Sequence, residues 1–171
     1  PLAGPVVAAA CAMPLDAVIS GINDSKQTTE EDREEMYDII TATPGVRWAV
    51  AVIDHRRIDA INILQATMEG MSKSAAAVLD PSKGSSEPAS IDRKGCYVVT
   101  GSNAPLQPFK KGRGYALVDG NRVPQSLPCR GEAMVKGDGR EYIIGAASIL
   151  AKVTRDRLMV DYDKKYPEYG L

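Results

Sequence analysis

Two short apolar runs, GPVVAAACAMP at 4–14 and VRWAVAVID at 46–54, flank the segment TTEEDREEMYDII, and this order restricts the chain to an α/β architecture. The first run is bounded by prolines and reads as a buried strand despite its alanines. The second carries the bulky residues of a half-buried strand. The segment between them reads as a helix: Thr28 and Glu31 have capping-box spacing, and the acidic first turn suits the positive end of the helix dipole. A second helix is predicted over 62–79, where Ile63, Ala66, Gly70 and Ser74 would form a small-residue face open to close packing. A third strand, YALV, ends at Asp119. The longest helix is predicted from about 140 to 164, with Ile144, Ala147, Ala151, Arg155 and Leu158 in helical phase. Between these elements, 80–114 is dominated by Pro, Ser, Gly and Lys and reads as an inserted, partly mobile loop. The strand-like CYVVT lies within it.

A chain of 171 residues, 44% hydrophobic and 25% charged, is long enough for one sizeable core, so a single domain over 1–171 is expected. Its 21 basic and 22 acidic residues give a net charge of -1, so any contact with nucleic acid must come from local clustering. Cys11, Cys96 and Cys129 are odd in number, widely spaced and form no CxxC pair. They read as packing residues in a reducing compartment, not as a disulfide framework or zinc site. His55 is the only histidine and lies in a polar segment, which disfavours a Ser/His triad or a His-rich metal cage. No apolar run approaches the roughly 20 residues of a membrane helix. Carboxylates are left to carry any chemistry.

In GYALVDGNRVPQ, Asp119 reads with about equal weight as a turn residue or as a carboxylate aimed from the end of a buried strand. Its candidate partners downstream are Asp138 and Asp156. With most of the intervening chain helical, those two lie roughly 20 to 27 Å apart at 1.5 Å per residue, too far to share a metal pair whose ions sit about 3.5 to 4 Å apart. Asp138, between Gly137 and Gly139, is the freer to reach across. Asp156 reads as an ion-pair partner for Arg155, Arg157 or Lys152.

GPVVAAA, NDSK, NILQATMEGM, LVDGN, KGD and AASILAKVTRDRLM follow one another as they do in ribonuclease HII, the type 2 ribonuclease H family. The resemblance covers nearly the whole chain outside 80–114. It implies the ribonuclease H-like fold, a mixed β-sheet flanked by helices. It also implies a metal-dependent endonuclease that hydrolyses the RNA strand of RNA/DNA hybrids and cuts at single ribonucleotides embedded in DNA. By resemblance, two ions of Mg²⁺ or Mn²⁺ would serve the reaction, the products would carry 5'-phosphate and 3'-hydroxyl ends, and the 2'-hydroxyl would set specificity. The protein would act as a monomer in DNA replication and repair, in the cytoplasm or, in a eukaryote, an organelle.

Of the family's four carboxylates, those in the VDG and KGD turns match Asp119 and Asp138, which the resemblance makes catalytic metal ligands. Asn23 and Lys26 match a loop beside the active site and would hold a backbone phosphate. Ser148 is expected to line the same cleft, with Lys152 one turn on bracing it. KKGRG in the insertion would either add phosphate contacts or simply be solvated.

The family's remaining pair stands in Asp-Glu-Ala-Gly-Arg-Gly, directly before residues matching PLAGPVV, whereas this sequence starts at Pro1. The expectation is therefore a fragment lacking its first, central strand, which would lie between the strands at 6–13 and 115–118, and lacking the family's C-terminal end. Such a segment is expected not to fold as a stable monomer, because two strand edges are left open. The competing reading is a catalytically inactive truncated remnant that only binds nucleic acid.

Overall fold

Val6–Ala12 (β1) is apolar and mostly small, Arg47–Ile53 (β2) alternates alanine with bulkier side chains, and the two pair antiparallel from Val6 opposite Ile53 to Ala12 opposite Arg47. The structure, a computed structural model, describes residues 3–14, 16, 17, 19, 22, 29–85, 95–102, 109 and 114–170. Cys96–Ser102 (β3) pairs antiparallel with the far side of β2, so the insertion does contribute a strand. The insertion at 86–94, 103–108 and 110–113, including the first four residues of KKGRG, lies outside the described residues.

Helices cover both faces of this sheet, giving the mixed α/β class expected. On one side Val50 and Val52 meet Ile40 of Glu30–Ala42 (α1) and Ile149, Leu150 and Val153 of Tyr142–Lys165 (α4). Full burial of each such aliphatic side chain stabilises the fold by about 1.5–3 kcal/mol. On the other side Ala49 and Ile53 meet Ala66, Ala77 and Val78 of Ile63–Leu79 (α3). The alanines of β1 and β2 leave room there for α3, whose Gly70 would place an added Cβ 3.0 Å from the Cβ of Ala8.

Several boundaries differ from those predicted. The capping box is Thr29 with Asp32, one residue beyond Thr28 and Glu31; the shorter acid reaches the Thr29 amide at 3.0 Å and returns its own amide to the Thr29 hydroxyl at 3.1 Å. Ile63 is 48% exposed and does not belong to the small-residue face, because the first turn of α3 precedes the stretch that meets the sheet. The buried positions of α4 are Ile144, Gly145, Ala146, Ile149, Leu150 and Val153, with Ala147, Ala151 and Arg155 at the half-buried margin. Asp156 pairs with Arg33 of α1 at 3.5 Å, and Arg157 pairs with Glu34, so the ion pairs bridge two helices instead of running along one. All three cysteines are free, and burial pushes the Cys11 thiol up to about 12, as suits a packing residue.

The short helix His55–Ile61 (α2) escaped the sequence reading because its three apolar residues, Ile58, Ala60 and Ile61, are too few to establish a period. Asp54 caps it, accepting from the Arg57 amide at 3.0 Å and from the Arg56 side chain at 2.8 Å while only 4% exposed. Burial raises the Asp54 pKa, but the Arg57 amide and the Arg56 guanidinium outweigh it and hold the carboxyl below its ordinary range. The stabilisation is therefore complete above the unfolded carboxylate range near ~4 and is lost as pH falls through the lower, folded value. In a longer protein containing this chain, Asp54→Asn should cost about 1–2 kcal/mol at pH 7, because asparagine can keep the Arg57 cap but loses the charged contact to Arg56, with the gap to wild type closing in acid. Urea midpoints at pH 7 and below pH 4 measure this; an equal gap at both would remove the charge from the explanation.

Tyr115–Asp119 (β4) and Arg130–Met134 (β5) form a separate parallel pair. Among the described residues β1 bonds only to β2 and β4 only to β5, so each keeps one unpaired side. Open edges of this kind leave backbone donors and acceptors unsatisfied and invite mispairing. The 171-residue chain by itself is expected to melt without a cooperative transition, as followed by circular dichroism. A single sharp two-state transition would contradict this.

Candidate active site

The apolar run Ala116–Val118 buries the middle of β4 and carries Asp119 to its exposed C-terminal end. Parallel register sets Asp119 opposite Met134, and the Gly120 amide donates to the Met134 carbonyl at 3.0 Å. The pairing corrects the hairpin reading of Asp-Gly, since β4 and β5 run in the same direction and are joined by the loop at 120–129. Gly120 is required by its backbone, with φ at +111°, and not by crowding, for nothing lies within 4 Å of an added Cβ.

From Met134 the chain bends through Lys136, in the left-handed region at φ 57°, into the 3-10 turn Gly137–Gly139. That bend returns the Gly137 amide to Asp119, where it donates to Oδ1 at 2.8 Å. An added Cβ at Gly137 would come within 2.6 Å of Ile144 Cδ1, so the close approach depends on glycine. The arginine-flanked turn then feeds α4, with the Glu141 amide bonding the Gly137 carbonyl at 2.8 Å. Asp138 is thus held one residue from the amide that grips Asp119, which brings the VDG and KGD turns together.

Two neighbouring carboxylates are hard oxygen donors, and the single amide bond to Oδ1 leaves most of the Asp119 lone pairs available to a cation. Asp119 and Asp138 therefore fit a share of a divalent-metal site. Among the described residues no group of three or more carboxylate, cysteine or histidine side chains converges.

Asn23 and Lys26 lie outside the described residues. Ser148 is half-buried on α4, about 9 Å of helix rise beyond Tyr142. Lys152 lies one turn further along and is also half-buried. Tyr142 itself ties the helix start to the strand-following loop, its hydroxyl donating to the Ile19 carbonyl at 2.7 Å.

A family model for ribonuclease HII matches residues 1–171. The chain belongs to the ribonuclease HII family. It is 41% identical over 170 residues to a ribonuclease HII from Magnetococcus marinus, covering 99% of this chain and 65% of the relative. It is also 41% identical over 171 residues to one from Citrifermentans bemidjiense, covering 99% and 60%. For one from Chlamydia caviae the figures are 36% over 170 residues, 99% and 65%. The chain thus spans roughly 60 to 65% of the length of these relatives.

The mixed sheets flanked by helices are consistent with a ribonuclease H-like fold for this member of the family. Two parts of the acid site were not assigned from sequence: β5, and the Gly137 amide that anchors Asp119. RGEAM offers only the weak signal of an exposed strand, but an apolar run directly before KGD would have been a usable cue.

No helix among the described residues is long and apolar enough to cross a membrane.

Proposed function

We propose that the protein containing this chain is a metal-dependent endonuclease hydrolysing the RNA strand of RNA/DNA hybrids and cutting at single ribonucleotides in DNA. The observation that carries this reading is the 2.8 Å bond from the Gly137 amide to Asp119, which gathers the two family-matched acids at one strand end. Asp119 and Asp138 would hold Mg²⁺ or Mn²⁺. A bound divalent ion supplies Lewis-acid activation of water and stabilisation of the leaving oxygen. The chain's own part is to fix these two carboxylates through the β4–β5 register and the glycine turn, before substrate arrives. Products with 5'-phosphate and 3'-hydroxyl ends belong to this reading, as do phosphate contacts from Asn23 and Lys26 and a cleft-lining role for Ser148.

The test is incubation of a protein extended to the length of its relatives with a DNA duplex carrying one ribonucleotide, with and without Mg²⁺. A metal-dependent nick at the ribonucleotide supports the proposal. Binding without any nick favours the inactive, nucleic-acid-binding alternative, and absence of both nick and binding overturns both readings.

A further inference from the structure

A groove of about 570 Å³ runs between α3 and the loop that follows Asp119. Arg57, Leu64 and Glu69 line its helical side, and Arg122 and Val123 line the opposite side. The loop wall is pinned, because the Ser126 hydroxyl donates to Ser72 on α3 at 2.9 Å and the Leu127 amide closes a turn on the Pro124 carbonyl at 3.2 Å. The groove is therefore a built feature joining two elements.

Its charge is unbalanced. Of its charged lining residues, Arg57 meets Glu69 at 2.8 Å, so that cation and that anion offset each other and Arg122 is left over. Arg122 is exposed and has no ion-pair partner among the described residues. Together these residues carry an excess of positive charge within a chain of net charge -1. Leu64 and Val123, 44% and 36% exposed, give the groove a short aliphatic surface. Among the described residues no aromatic side chain lines it. Such a surface suits sugars and phosphates and offers nothing on which a base could stack. Arg122 also lies three residues after Asp119, so the loop wall of the groove starts from the end of the strand that carries the acid.

We infer that this groove is a backbone subsite for the nucleic acid, in which Arg122 contacts a phosphate of the duplex held at Asp119 and Asp138. The inference rests on the reading under Proposed function. Arg122 is then a positioning residue that adds affinity without entering the chemistry, and the Arg57–Glu69 pair stiffens the facing wall.

The experiment measures binding of a fluorescent RNA/DNA hybrid by anisotropy, without divalent metal, across a salt series. It uses the full-length protein, Arg122→Gln, Arg122→Lys and the control Lys164→Gln at the far end of α4. Each phosphate contact contributes about 0.9 to the slope of log K against log salt. Arg122→Gln should lose about that much slope and bind several-fold more weakly, while Arg122→Lys and Lys164→Gln keep the wild-type slope. In cleavage assays the loss from Arg122→Gln should fall on KM, with kcat within about twofold of wild type. A wild-type slope in Arg122→Gln overturns the subsite and leaves the proposed function standing. Absence of salt-dependent binding by the wild type overturns both, so the two failures are distinguishable.

Discussion

Asp119→Asn in the full-length protein should lower metal-dependent cleavage about 10³-fold, equivalent to about 4 kcal/mol of lost transition-state stabilisation. The amide of asparagine is nearly the same size as the carboxylate and can still accept from Gly137, so the β4–β5 end should survive the change. What disappears is a negative hard-oxygen ligand. Asp138→Asn should fall in the same range, and the double variant should lose little more than either alone, because acids that act as a unit are not additive. Thermal midpoints within a few degrees of wild type would separate this loss from unfolding. Cleavage persisting in Asp119→Asn within tenfold of wild type would remove Asp119 from the metal site.

The second large effect is on stability. Gly70→Val should destabilise the full-length protein by about 3 kcal/mol, because its Cβ would already lie 3.0 Å from the Cβ of Ala8 and 3.6 Å from Ile53 Cγ1, with two further methyl carbons to place. The core here is closed by backbone proximity between α3 and β1, and α3 cannot move away without uncovering Ala66 and Ala77. Gly70→Ala should cost less, since a gain in helix propensity of about 1 kcal/mol offsets part of the crowding. Urea denaturation with an unchanged m-value is the measurement. A Gly70→Val protein as stable as wild type would show that α3 does not approach β1 this closely.

These two sites were legible in sequence to different degrees. Gly70 could be read because helical spacing places it with Ala66 and Ser74 on one face, and all three are buried. Asp138 could be preferred over Asp156 because helix rise alone separates the pair, and Asp156 indeed engages Arg33 of a neighbouring helix. The partner of Asp156 was misjudged, since ion pairs between helices depend on how they cross. The helix at 55–61 was not assigned from sequence because it is fixed by a cap at Asp54 more than by an apolar stripe.

By itself the sequence determined which segments are strands or helices where the apolar period is strong, and which two acids stand at their ends, because periodicity and helix rise are local properties of the chain. The three-dimensional structure alone decided that β4 and β5 run parallel, that Lys136 turns the chain back, and that the Gly137 amide meets Asp119. These depend on hydrogen bonds between residues up to 18 apart, where many pairings satisfy the same local pattern and packing selects one.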